Sequence, residues 1–117
     1  MTVKTTFGTY EDAYFQVGRY LIDGALFLAM QSISEGGLAP ITVCLRDPDL
    51  APDESYVDVN NFPEVLELIA DLNLGTPTGK TRQSGFVTYP LVKFNKDVVL
   101  KESVRSEGFC WEDKTCI

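Results

Sequence analysis

The sequence predicts an α+β domain: an antiparallel sheet of about five strands, a meander plus a C-terminal hairpin, packed against one main helix. Three observations carry this expectation. Two β-rich runs, Tyr14 to Ile22 and Ala25 to Ile33, flank an Asp23-Gly24 pair, a strong short-range hairpin signal. The stretch from Pro63 to Asn73 repeats apolar residues at helical spacing. Beyond it two further strand-like runs, about Gly79 to Ser84 and Phe86 to Phe94, lie on either side of Gly85, which permits a turn or a bulge.

Taken in order, Val3, Thr5 and Phe7 alternate with polar residues and suggest a short opening strand. A two-residue turn at Asp23-Gly24 sets Tyr20 opposite Phe27 and Val17 opposite Met30, with apolar side chains on both faces. Glu35-Gly36-Gly37 supplies the next turn and Pro40 to Leu45 a third strand. Arg46 to Glu54, with two prolines and four acids, reads as an exposed loop. Ser55 to Val59 follows as a short edge strand. Asn61 is placed to cap the helix, Glu64 stands three residues later as in a capping box, and Pro63 falls in the first turn, where its missing N–H costs nothing. Val65, Leu66, Leu68, Ile69 and Leu72 form its apolar stripe. Gly75 ends it and Pro77 prevents its continuation. Pro90 points to an edge position or a strand end for the last strand. In the extension 96–117, Val98 to Leu100 either lengthen the sheet or begin a docking segment, and Phe109 and Trp111 imply that the tail packs.

At 117 residues the chain matches one domain spanning 1–117 and holds a core without staples. Its apolar fraction of 44% and charged fraction of 23% are ordinary for a globular protein. The longest apolar runs, such as Ala25 to Met30, are too short to cross a bilayer. The N-terminus lacks the pattern of a signal peptide, so a cytoplasmic address without membrane contact is expected. A net charge of −7 disfavours direct binding of a nucleic-acid backbone or an anionic membrane. It is compatible with a basic protein partner or with imitation of DNA's charge.

There is no histidine, which removes the usual base for a Ser or Cys nucleophile and every His-containing zinc site. Cys44 sits in an apolar run and reads as a small buried hydrophobe. Cys110 and Cys116 are close enough in sequence to pair, but a cytoplasmic setting favours free thiols. Asp47, Asp49, Asp53 and Glu54 lack the spacing of a calcium loop and read as a solvated acidic segment. Gly79-Lys80-Thr81 resembles the end of a phosphate loop. However, the required first glycine is Leu74, and a helix precedes where a strand should. The segment therefore reads as a helix-to-strand connection with Lys80 and Arg82 in solvent. No catalytic, cofactor-binding or metal-binding residue is assigned.

The stretch Glu54-Ser55-Tyr56-Val57-Asp58-Val59-Asn60-Asn61, then Leu74-Gly75-x-Pro77-Thr78-Gly79, then Ser84-Gly85-Phe86-x-Thr88-Tyr89-Pro90-Leu91-x-x-Phe94-Asn95 resembles a family of small uncharacterised bacterial proteins, a domain of unknown function. Its members are often encoded on conjugative elements and phage-like islands of Gram-positive bacteria. The resemblance follows the order of elements from Tyr14 to Asn95 and implies a mobile-element setting but no activity. The resulting expectation is a non-enzymatic accessory protein without cofactor that binds another protein. Its interaction surface is placed on Asp58, Asn60, Thr78, Arg82, Ser84 and Tyr89, polar residues at element ends or on the final hairpin. The alternative is an anti-defence inhibitor that mimics nucleic acid with a contiguous acidic face. A third class is an unfamiliar enzyme using carboxylates and a tyrosine in a concave pocket.

Overall fold

The computed structural model describes residues 1–5, 8–34 and 36–114. The framework is two four-stranded sheets rather than one sheet of about five strands. A short hairpin of β1 (Val3–Thr5) and β2 (Gly8–Tyr10) stands beside them. Phe7, expected to continue the first strand, lies outside the described residues. The first sheet contains β3 (Ala13–Arg19), β4 (Leu26–Ser32), β5 (Gly36–Pro40) and β10 (Ser103–Arg105), in the order β10-β3-β4-β5. The second contains β6 (Thr42–Val43), β7 (Glu54–Val57), β8 (Gly75–Ser84) and β9 (Val87–Phe94), in the order β6-β7-β9-β8. Helices α1 (Val65–Asp71) and α2 (Lys96–Glu102) complete the chain.

Strict alternation builds the first sheet. Ala13, Phe15 and Val17 on β3 and Leu26, Leu28 and Met30 on β4 are all buried, as a one-sided strand requires. The turn between them differs from expectation. Phe27 faces Gly18 and Leu28 faces Val17, two positions from the anticipated register, and a shift of two keeps every side chain on its face. Asp23 does not take the positive φ a type I′ turn needs; only Gly24 does, at 72°. The Asp23 carboxylate instead accepts the Ala25 N–H at 2.9 Å, so the loop runs from Leu21 to Gly24.

The expected third strand, Pro40 to Leu45, is cut in two. β5 ends at Pro40 and β6 begins at Thr42, in the other sheet. Between them the fully buried Ile41 donates its N–H to the Leu28 carbonyl at 2.8 Å and accepts the Asp58 N–H at 2.9 Å. β7 is shorter than expected and lies inside its sheet, between β6 and β9. Ser55 and Val57 face the main core while Tyr56 faces a smaller cluster with Tyr89, Leu91, Leu50 and Ala25.

Asp58 organises the turn before the helix, where Asn61 was expected to cap. It accepts the Asn61 N–H at 3.2 Å and the Asn61 side-chain amide at 3.0 Å. The helix therefore starts later, at Val65, with Glu64 rather than Asn61 at its N-cap. Val65, Leu68 and Ile69 bury its inner face. Asn73, at φ 55°, closes it, and the Leu74 N–H reaches back to the Ile69 carbonyl at 2.9 Å, the long bond of a Schellman close. Gly75 is thus not the helix stop. It opens β8, where an added Cβ would come within 2.6 Å of the Lys93 carbonyl oxygen. The segment 76–81, expected as a connection, belongs to this strand. Pro90 lies in an interior strand, but just past the end of the β7 ladder, whose last pair is Tyr56 with Leu91. Its missing N–H therefore breaks no pairing.

The tail is ordered by contacts far away in sequence. Val98 to Leu100 are helical, and Val99 enters the core. β10 then pairs parallel to β3. Phe109 and Trp111 pack as expected, Trp111 being buried. Lys114 donates to the carbonyls of Pro48 and Leu50, both at 2.7 Å. Cys44 is a free, half-buried thiol. Cys110 is disulfide-bonded, which overturns the expectation of a free thiol there; Cys116 lies outside the described residues.

Candidate functional site

The β8–β9 hairpin is the most exposed ordered feature of the described chain. Every residue of β8 from Thr76 to Ser84 is exposed, so beyond its root neither face of this strand is covered. The strands close on Gly85-Phe86 between the paired residues Ser84 and Val87. Gly85 has φ 62° and Phe86 does not share it, the pattern of a type II′ turn that needs glycine first. Phe86 is left fully exposed at the tip. Near the root, Pro77 pairs with Val92 and Thr81 with Pro90, so Thr78, Gly79 and Lys80 oppose the single residue Leu91. Gly79 takes φ 88° to make this wide bulge. The Thr78 hydroxyl fixes it, donating to the Leu91 carbonyl at 3.1 Å and accepting the Lys80 N–H at 3.1 Å. Bulge, proline and two cations guard the free edge of β8 against added strands.

Four of the six residues expected to form an interaction surface belong to this hairpin. Thr78, Arg82 and Ser84 are exposed, whereas Tyr89, paired with Arg82 across the strands, is buried at 9% exposure. The other two lie in the turn before α1, where Asn60 is exposed and Asp58 is 5% exposed and bonded to Asn61.

Arg82 is exposed, as expected, and is also paired. Its guanidinium lies 3.5 Å from the Asp47 carboxylate, which also accepts the Tyr56 hydroxyl at 2.9 Å. Burial pushes the Asp47 carboxyl up, but bonds from Tyr56 and the Asp49 N–H, with the Arg82 charge, outweigh it and hold it below its ordinary value. Burial and the bond to Asp47 push the Tyr56 phenol up. A depressed acid stabilises the fold above its unfolded pKa, and that contribution is lost as pH falls through the folded value. A raised phenol loses its contribution as pH rises through its folded value. Asp47→Asn should therefore bring the Tyr56 titration, read by ultraviolet absorbance, back toward about 10; an unchanged midpoint would count against the coupling.

A second exposed region was not legible in the sequence. Leu21, 80% exposed, and Ile22 project from the β3–β4 loop. Beside them a hollow of about 330 Å³ is lined by Leu21, Phe27, Phe109, Arg19, Ser106 and Glu107. Phe27 also borders a hollow of about 370 Å³ with Ala29 and Pro40. Neighbouring Cys44 is held above its ordinary pKa by burial and so stays a weak nucleophile at neutral pH. The acids of the 46–54 loop are used locally: Asp49 N–H bonds Asp47, Ala51 N–H bonds Glu54, and Asp53 faces Lys93 at 3.8 Å. Among the described residues no three Cys, Asp or Glu converge to hold a metal ion, and no helix is long and apolar enough to cross a membrane.

No curated protein and no solved structure matches the chain. A family model described as a domain of unknown function, DUF4313, matches residues 14–114, which takes in the tail that the sequence resemblance left out. The match runs from β3 through the residues around Lys114, and the chain belongs to the DUF4313 family.

Proposed function

We propose that this chain is a non-enzymatic accessory protein of a mobile genetic element that acts by binding another protein with the tip of its β8–β9 hairpin. The observation that carries this reading is Phe86, a fully exposed aromatic ring at the end of a hairpin whose outer strand is exposed along nearly its whole length. Such a ring contributes no burial to its own fold, yet aromatic side chains are the usual anchors of interfaces. The guarded edge of β8 favours insertion of the tip into a partner's pocket over strand addition. Lys80, exposed in the bulge lower on the same hairpin, adds positive charge to a chain of net charge −7, which suits a partner with an acidic rim. Pairing of Asp47, Asp53 and Glu112 with Arg82, Lys93 and Lys96 weighs against an unbroken acidic face imitating DNA. The family resemblance supports the mobile-element setting.

The test is affinity capture from a bacterial host lysate, followed by binding measurements with the purified partner. Phe86→Ser should weaken binding roughly 30-fold or more, the scale of an interface anchor, while changing stability by no more than about 0.5 kcal/mol. A stoichiometric partner bound equally well by Phe86→Ser would refute the role of the tip.

A further inference from the structure

Where β3 ends, two hydrogen-bond donors that the chain does not use border one hollow. Arg19 is only 9% exposed. Its terminal nitrogens are spent on the carbonyls of Pro52, Cys110 and Trp111, but its Nε is buried with no hydrogen-bond partner, a rare condition for a polar atom. The half-buried Ser106 hydroxyl accepts the Gln16 amide at 3.4 Å, and its own proton finds no acceptor among the described residues. Gly18 makes the room between them: a Cβ there would stand 2.6 Å from the Ser106 Oγ and 3.8 Å from the Phe27 ring. Arg19 and Ser106 share the wall of the 330 Å³ hollow with Leu21 and the rings of Phe27 and Phe109. Phe109 covers the guanidinium, its ring centre 5.2 Å away. An adjoining hollow of about 530 Å³ shares Arg19, Leu21, Phe27 and Ser106 and extends to Ile22 and Cys44.

We propose that this hollow binds a small, uncharged aromatic molecule that carries a carbonyl acceptor. The ligand's ring lies against Phe27 and Leu21. Its oxygen accepts the Ser106 hydroxyl and, with the Phe109 ring turned aside, the Arg19 Nε–H; side-chain movements of this kind are ordinary on binding. The donors select the acceptor: a ligand presenting only donors would leave both Arg19 Nε–H and Ser106 O–H bare. Charge selects against an anion. The Arg19 charge is already met by three carbonyls and by the charges of Asp113 and Asp53, Glu107 stands in the wall, and the chain carries a net −7. A cation would find Glu107 but would set a like charge beside Arg19. Size agrees, since sites for small molecules run from about 300 to about 1,000 Å³. This site is separate from the hairpin tip and does not rest on its role.

Nuclear magnetic resonance titration of the isotopically labelled full chain with coumarin, a neutral bicyclic lactone without donors, tests the proposal. Coumarin should shift the Arg19 Nε–H signal and the Ser106 and Phe27 backbone amides together and saturably, with a dissociation constant of about 1 mM or below, as suits so small a ligand. Chroman, the same bicycle without the carbonyl, should bind roughly fivefold more weakly, and so should the carboxylate of coumarin. Ser106→Ala should weaken coumarin roughly threefold or more with an unchanged circular dichroism spectrum. Phe27→Leu should weaken it roughly fivefold through the lost ring contact, and serves if Ser106→Ala fails to fold. Phe86→Ser should bind like the unaltered chain, since the tip is a separate surface. The proposal would be overturned by an Arg19 Nε–H signal unmoved at about 5 mM coumarin. It would fall equally if chroman or the carboxylate bound as tightly as coumarin, or if neither Ser106→Ala nor Phe27→Leu weakened binding.

Discussion

Arg19→Met should cost roughly 2–4 kcal/mol of stability and shift the fluorescence of Trp111, the only tryptophan, toward the red. Arg19 is the inward residue at the end of β3 and is only 9% exposed. Its guanidinium donates to the carbonyls of Pro52, of Cys110 at 3.1 Å and of Trp111 at 2.6 Å. The same group lies over the Phe109 ring, 5.2 Å from its centre, and Phe109 meets Trp111 edge to face. Burial lowers the arginine's pKa, while the Asp113 and Asp53 charges act in the opposite sense; the group stays charged throughout. One side chain therefore ties β3, the loop before β7 and the tail. Methionine keeps the apolar stem but strands three carbonyls and releases the ring stack. Lysine should recover only part of the loss, because a single ammonium cannot reproduce a planar fork reaching three acceptors. A melting temperature within about 2 °C of the unaltered chain would show that the tail is held by other contacts.

Parts of this architecture were legible because they are local. The alternation of β3 and β4, the apolar stripe of α1 and the turn at Gly85 are written in residues a few positions apart. Arg82, Ser84 and Tyr89 lie on the two strand-like runs around Gly85 for the same reason, whereas Thr78 reads in sequence as part of a connection and joins them only through the bulge. What failed depends on distant partners. Asp23-Gly24 looks like a two-residue turn until Asp23 is seen bonding Ala25 on one side and the Asp47 N–H, 24 residues on, with its other oxygen. Nothing in Pro40 to Leu45 marks a change of sheet, because Ile41 is as apolar as its neighbours. β10 has three residues and pairs with β3 from 88 positions away, beyond any periodicity. A polar side chain before a helix usually stays at the surface, so the sequence alone suggests an exposed Asp58; its burial follows from the turn it closes. Phe86 begins a β-rich run in the sequence, and only the closing pair Ser84–Val87 places it at the tip.

The sheet switch itself carries the second large effect: Ile41→Ala should destabilise the chain by about 3 kcal/mol, within the 2–5 kcal/mol span of such truncations. Ile41 is fully buried in the main core, and the next residue adds a polar clasp. The Thr42 hydroxyl accepts the Leu28 N–H at 3.0 Å and shares a bond of 3.0 Å with the Tyr20 hydroxyl. The two backbone groups of Leu28 are thus satisfied by Thr42 and Ile41, where β5 no longer reaches. Thr42→Val keeps the shape but orphans a buried N–H, and should cost about 1–3 kcal/mol. If the clasp and the core act on the same joint, the double variant should lose less than the sum of the two, by at least about 0.5 kcal/mol. Strict additivity in denaturant unfolding would mean that the sheets are joined by apolar packing alone, with the hydrogen bonds around Leu28 serving only to satisfy its backbone.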